Sequence, residues 1–135
     1  LGGRETKQTN AAGIAVTREY DLAGNLVKST DGLGQATVHV YNNTQKRSST
    51  TLANGAVTQF AYDANGVLLS ETNPLGHAYQ FGHDPLGALK TVTDPLGKVT
   101  GYSWNGSNQL LTQTDANGHS TRYGYDSAGR RVART

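Results

Sequence analysis

The sequence predicts an all-β protein in which tandem 21-residue β-hairpin repeats form a long, curled antiparallel sheet. Three observations lead to this prediction: only 35% of the residues are hydrophobic, glycine occurs 17 times, and aromatic residues recur at a constant interval. Gly, Thr, Ser and Asn are poor helix formers, whereas short strands joined by tight turns use them readily. Self-similarity at a fixed period is the signature of a repeat architecture.

The repeat is visible in several sets of positions spaced 21 residues apart. The first set is aromatic except for one histidine: Tyr20, Tyr41, Tyr62, His83, Trp104 and Tyr125. Two others are invariant: Thr9, Thr30, Thr51, Thr72, Thr93 and Thr114, then Gly13, Gly34, Gly55, Gly76, Gly97 and Gly118. Residues 1–135 are therefore predicted to form one segment of about six units, the unit that begins at Tyr41 being the most degenerate. We expect the segment to be a fragment of a longer chain.

Each unit contains two predicted turns, in which Asp or Asn is followed three residues later by Gly. The side-chain oxygen accepts a hydrogen bond from the backbone two residues on, and Gly adopts the positive φ that lets the strand resume. One turn position contains Asp21, Asp63, Asp84 and Asp126, and the other contains Asp31, Asp94 and Asp115. Pro74, Pro85 and Pro95 all fall at the second residue of a turn, where φ near −65° is required. Each unit is thus read as turn, strand, turn, strand.

The predicted strands of the first complete unit cover residues 25–30 and 35–41. Because side chains alternate, a second aromatic set lies on the same face as the first: His39, Phe60, Phe81, Tyr102 and Tyr123. That face is predicted to carry an aromatic–Leu–Thr stripe, and the opposite face small, mixed side chains. About 11 or 12 strands result, which gives a sheet roughly 55 Å wide. Its two free edges invite pairing with another chain, so we expect an isolated fragment to self-associate there.

The columns Y-D-x-x-G-x-L and T-D-x-x-G at this period resemble the RHS/YD-repeat family over roughly residues 9–132. That family includes bacterial polymorphic toxins, shell components of insecticidal toxin complexes and, more distantly, teneurins. The resemblance implies a spiral of β-hairpins that closes into a hollow shell, of which this chain is one stretch of wall. It further implies a bacterial, secreted or cell-surface protein whose partners are the rest of its own shell and an enclosed C-terminal toxin or effector domain. The absence of cysteine fits a bacterial member better than a teneurin.

Several function classes find no support in the sequence. A net charge of +2 is too small to indicate nucleic-acid binding, and no apolar run approaches the ~20 residues of a membrane-spanning helix. His77 and His119 occupy one repeat position two units apart, about 19 Å at the strand spacing, so they are not predicted to share a metal. "HDPLGAL" at 83–89 resembles a self-cleavage motif but is explained by its turn positions. Since every Asp serves a turn, we predict no catalytic residue, metal or cofactor.

Two functions follow from these observations. The first is a non-catalytic structural segment that helps to encapsulate a C-terminal toxin or effector until delivery. The alternative is a repeat surface that binds glycans or a cell-surface protein through its aromatic columns, with Trp104 as the candidate ligand-binding residue. A column that runs through every unit is more typical of cross-strand packing than of a local binding site.

Overall fold

The computed structural model describes residues 3–135 as one 13-stranded antiparallel sheet in which the strands lie side by side in chain order. The strands are β1 (Glu5–Thr9), β2 (Ala15–Tyr20), β3 (Leu26–Thr30), β4 (Ala36–Tyr41), β5 (Arg47–Thr51), β6 (Val57–Tyr62), β7 (Leu68–Thr72), β8 (Ala78–His83), β9 (Leu89–Thr93), β10 (Val99–Trp104), β11 (Leu110–Thr114), β12 (Ser120–Tyr125) and β13 (Arg131–Arg134). No helix long and apolar enough to span a membrane occurs within 3–135.

The predicted all-β hairpin repeat is confirmed, with small differences in detail. The sheet has 13 strands rather than 11 or 12, because the segments at both ends of the described chain also pair. Its curvature is slight over this length. The predicted strands at 25–30 and 35–41 begin one residue too early, since Asn25 and Gln35 close the preceding turns through their carbonyl oxygens, at 2.9 and 3.0 Å from the N–H groups of Asp21 and Asp31.

All the turns share one geometry, in which the fourth residue donates its N–H to the carbonyl of the first and has positive φ. In the turn that begins at Asp94, Gly97 has φ 79° and its N–H lies 2.9 Å from the Asp94 carbonyl oxygen. The Asp94 Oδ1 accepts the N–H groups of Leu96 and Lys98, both at 2.9 Å. One such oxygen thus satisfies two backbone donors that the turn leaves without ladder partners.

The turns lie in two rows, one along each end of the strands. We call each row an edge, and the two differ in the strand pairs that their turns join. On one edge, which we call the bulged edge, every hairpin contains a register shift beside its turn: 21–25, 42–46, 63–67, 84–88, 105–109 and 126–130. In the first of these, Glu19 pairs with Lys28 and Tyr20 with Leu26, so Val27 has no partner opposite. On the plain edge the hairpins pair without a shift, at turns 10–14, 31–35, 52–56, 73–77, 94–98 and 115–119.

The sheet has no second layer, and none of the residues in 3–135 is fully buried. The two faces nevertheless differ in exposure. In β4, Thr37, His39 and Tyr41 are half-buried, whereas Val38 and Val40 are 38% and 51% exposed. The aromatic face is therefore the more sheltered one, and its shelter comes from neighbouring side chains on adjacent strands.

Candidate functional site

The aromatic face is the most distinctive surface of the chain, because both aromatic sets lie on it in consecutive cross-strand pairs. The first set pairs with the residue that begins the next strand, as in Tyr20 with Leu26 and Trp104 with Leu110. The second set pairs two positions farther from the turn, as in Phe60 with Glu71, and the pair between them, Ala61 with Ser70, faces the other side of the sheet. The first set also sits at the register shifts of the bulged edge.

Four members of the first set donate a side-chain hydrogen bond to a carbonyl oxygen 15 residues earlier. We call these bonds aromatic tethers: Tyr41 to Leu26 (3.0 Å), Tyr62 to Arg47 (3.0 Å), Trp104 to Leu89 (2.6 Å) and Tyr125 to Leu110 (3.0 Å). Each tether joins the end of one strand to the beginning of the strand before it. A ring held by packing and by a hydrogen bond has a fixed orientation, which suits a structural role.

Arginine replaces leucine at two positions of this face, and in both cases it covers an aromatic ring. The guanidinium of Arg47 lies 5.1 Å from the centroid of Phe60, and that of Arg131 lies 5.8 Å from Tyr123. Both distances permit a cation–π interaction. At these two positions the guanidinium thus lies against a ring of the second aromatic set.

The histidines of the two aromatic sets have different surroundings. His39 Nδ1 lies 3.0 Å from Thr50 Oγ1 on the adjacent strand. Burial lowers the pKa of His39, and the charge of Arg47 lowers it further. His83 Nδ1, in contrast, is buried and has no hydrogen-bond partner among residues 3–135.

The predicted turn aspartates all lie at the first residue of their turns and accept backbone N–H groups there. The Asn25 side-chain amide, followed by its backbone N–H, lowers the pKa of Asp21. The backbone N–H groups of His119 and Arg130, together with their side chains, lower the pKa values of Asp115 and Asp126. Carboxylates stabilised in this way stay ionised near neutral pH and are poor general acids.

His77 and His119 lie on the plain edge in two turns that are separated by a third, 94–98. His119 Nδ1 lies 3.2 Å from Asp115 Oδ2 within its own turn. Within the described part of the chain, no three His, Asp or Glu side chains are placed to hold a metal ion. The arrangement offers packing and hydrogen bonding.

Sequence reasoning missed the contacts that join neighbouring turns on the bulged edge. Asn25 Nδ2 donates to Gln45 Oε1 at 2.6 Å, and Gln109 Nε2 donates to the Gly129 carbonyl at 3.1 Å. The donating amides belong to the fifth residue of a bulged-edge turn, and only two units have Asn or Gln at that position. The repeat pattern therefore shows no recurring residue type there that would point to these contacts. The tethers were also missed, because the aromatic column predicts packing without naming an acceptor.

Solved structures share this fold at low sequence identity. A crystal structure of TcdB2-TccC3-Cdc42 superposes with a TM-score of 0.73 at 15% identity, covering 89% of this chain and 7% of the matched chain. One of TcdB2-TccC3 without its hypervariable C-terminal region gives 0.71 at 12% identity, with 98% and 10% covered. The Tc holotoxin pore of Photorhabdus luminescens gives 0.59 at 13% identity, with 90% and 9% covered. This chain therefore spans a tenth or less of the length of those chains.

No curated protein sequence matches the chain. The model of the RHS repeat family, however, matches it at residues 2–36, 41–78, 62–99, 83–113 and 104–135. Several of these matches begin 21 residues apart, at 41, 62, 83 and 104, which is the period of the aromatic column. Together they cover nearly the whole chain, and the chain belongs to the RHS repeat family.

Proposed function

We propose that this chain is a non-catalytic stretch of wall in an RHS-type shell that encloses a C-terminal toxin or effector domain until delivery. The observation that carries the proposal is the continuous sheet, in which each hairpin is hydrogen-bonded to the next. Four aromatic side chains also form hydrogen bonds between successive strands. A wall needs such lateral continuity. The similarity in fold to segments of TcdB2-TccC3 structures supports the same reading.

The absence of an enzymatic role is part of the proposal and has its own support. Each Asp in the chain accepts a hydrogen bond from the backbone of its own turn. Glu5, Glu19 and Glu71 are the other carboxylates, and they do not recur in the repeat. The partners we propose are the remaining shell and its enclosed domain, in a bacterial protein that is secreted or displayed at the cell surface.

The polar atoms of the aromatic column count against the alternative of glycan binding. A ring that binds a sugar can use its face for stacking and its polar atom for a hydrogen bond to the ligand. The hydroxyls of Tyr41, Tyr62 and Tyr125 already donate to backbone oxygens, and so does the Trp104 Nε1–H.

Protection of the C-terminal region from protease tests the proposal. The full-length protein that carries this segment is treated with a broad protease, with and without mild denaturant, and the C-terminal region is followed by mass. The proposal expects that region to survive until denaturant opens the shell, whereas the same region produced alone is digested at once. Immediate digestion under native conditions would contradict encapsulation. Glycan-array binding that disappears in a folded Trp104→Ala variant would instead favour the binding surface.

A further inference from the structure

We propose that the β7–β8 hairpin is the weakest joint of the sheet and opens before the equivalent hairpins of the other units. The inference concerns this chain's own residues and does not depend on whether the sheet encloses a cargo. It rests on the length of the strand ladders, on the aromatic tethers and on the unpartnered His83.

The plain-edge hairpins inside the sheet have short ladders. The β3–β4 pairing covers only Lys28–Val38, Ser29–Thr37 and Thr30–Ala36, and the equivalent pairings β5–β6, β7–β8, β9–β10 and β11–β12 also have three residue pairs each. Each ladder stops before the bulged edge, where each of the two strands pairs only with its other neighbouring strand. At the open end of such a hairpin the ladder therefore supplies no direct residue pair between the two strands, and a side-chain bond there adds to their connection.

The aromatic tethers lie at these open ends. Tyr41 joins β4 to the start of β3, Tyr62 joins β6 to β5, Trp104 joins β10 to β9, and Tyr125 joins β12 to β11. Four of the five short-ladder hairpins are thus closed by a donor at a carbonyl oxygen, at 2.6 to 3.0 Å. The remaining one is β7–β8, whose tether position is His83.

Two observations identify β7–β8 as the exception. His83 Nδ1 is buried yet pairs with no atom of residues 3–135, so the joint lacks a bond and also contains an orphaned polar atom. The terminal hairpin β1–β2 lacks a tether from Tyr20 to Glu5 as well, but its ladder extends over five pairs, down to Glu5–Glu19. Among the plain-edge hairpins of residues 3–135, only β7–β8 therefore combines a three-pair ladder with an unfilled tether position.

A joint with fewer interactions opens more often, and amide hydrogen exchange measures this opening segment by segment. In the intact protein, we expect amides in 68–83 to exchange about fivefold faster than those in 47–62 and 89–104, as the loss of one hydrogen bond predicts. The neighbouring hairpins have the same topology and serve as internal references.

Three variants test the cause. His83→Tyr supplies the missing donor and should slow exchange in 68–83 to the rate of its neighbours. His39→Tyr is the matched control, since His39 already has Thr50 as a partner, and it should leave 68–83 unchanged. Tyr62→His creates the same defect in β5–β6 and should accelerate exchange in 47–62 about fivefold.

Each outcome decides the question. Equal or slower exchange in 68–83 than in the reference hairpins overturns the proposal, and so does a Tyr62→His variant that exchanges like the parent. A folded His83→Tyr variant without slowing contradicts it too. If His83→Tyr does not fold, the comparison of native segments and the Tyr62→His variant still give the answer.

Discussion

The two long edges of the sheet use the same turn but hold neighbouring units in different ways. On the bulged edge, side chains cross from one turn to the next, as between Asn25 and Gln45, and the tethers begin immediately before the turns. On the plain edge, each turn is closed by its own atoms, and leucines such as Leu75 and Leu96 stay 79% and 81% exposed. Side-chain hydrogen bonds between turns therefore lie on the bulged edge, whereas the plain-edge turns are hydrogen-bonded within themselves and touch through apolar contacts such as Ile14 against Gly32.

The largest expected effect comes from removing a tether together with its ring. Trp104→Ala should lower the free energy of unfolding by roughly 2–3 kcal/mol, because it deletes a half-buried ring and the Leu89 hydrogen bond. The control is Tyr79→Ala on the same face, since Tyr79 is 44% exposed and has no side-chain hydrogen bond within 3–135. It should cost about 1 kcal/mol or less. Urea unfolding of both variants measures the difference, and equal losses would refute the importance of the tether.

Breaking a turn on the plain edge should have the next largest effect. Gly97 has φ 79°, and a Cβ placed there meets nothing within 4 Å, so Gly97→Ala isolates the cost of the backbone conformation. We expect a loss of about 1–2 kcal/mol. Gly106 is also surrounded by open space but does not have positive φ, so Gly106→Ala should be nearly neutral. Thermal unfolding separates the two, and a neutral Gly97→Ala would contradict the turn geometry.

A smaller effect should separate the two edges directly. Gln109 is the fifth residue of a bulged-edge turn, where its side chain bonds Asn105 and the Gly129 carbonyl. Gln109→Ala should cost about 1 kcal/mol. Gln35 holds the same turn position on the plain edge, is exposed and makes no side-chain hydrogen bond within the described chain. Gln35→Ala should therefore be neutral in the same unfolding assay. Equal effects would remove the distinction between the edges.

The smallest effect at neutral pH concerns the turn carboxylates. The pKa of Asp126 is lowered by the backbone N–H and then by the side chain of Arg130, so the folded state favours the ionised form. Its stabilisation is complete above the unfolded pKa of about 3.9 and is lost as pH falls through the lower folded value. Asp126→Asn keeps an acceptor at the turn and should flatten the fall of the melting temperature below about pH 4.

The reverse substitution at an equivalent turn is the control for this prediction. Asn42 begins a bulged-edge turn and accepts the N–H groups of Thr44 and Lys46 through Oδ1. Asn42→Asp introduces a titratable side chain at this turn. The melting temperature of the variant should therefore fall more steeply at low pH than that of the parent chain. Melting temperatures recorded between about pH 2.5 and 6 test both variants against the carboxylate pKa near 3.9. Parallel pH profiles for Asp126→Asn and the parent chain would rule out a contribution from this carboxylate.

The turns were predictable residue by residue because their chemistry is local. An Asx oxygen and a residue with positive φ three positions later suffice to define them. Gln45 and Asn108 interrupt the glycine pattern, yet they adopt φ 63° and 61°, so the rest of the turn imposes the conformation on them. Leu52 similarly begins a turn without a side-chain acceptor, and Asn54 accepts the N–H of Ala56 instead.

The sequence alone determined the period, the all-β class, the positions of the turns and the face that carries the aromatic rings. These features depend on contacts within a few residues and on the alternation of side chains along a strand. Only the tertiary structure decided where register shifts occur, which carbonyl each aromatic ring reaches and that His83 Nδ1 is buried without a partner in residues 3–135. Those features depend on the positions of backbone atoms 15 residues apart in the chain, which a column of similar residues does not specify.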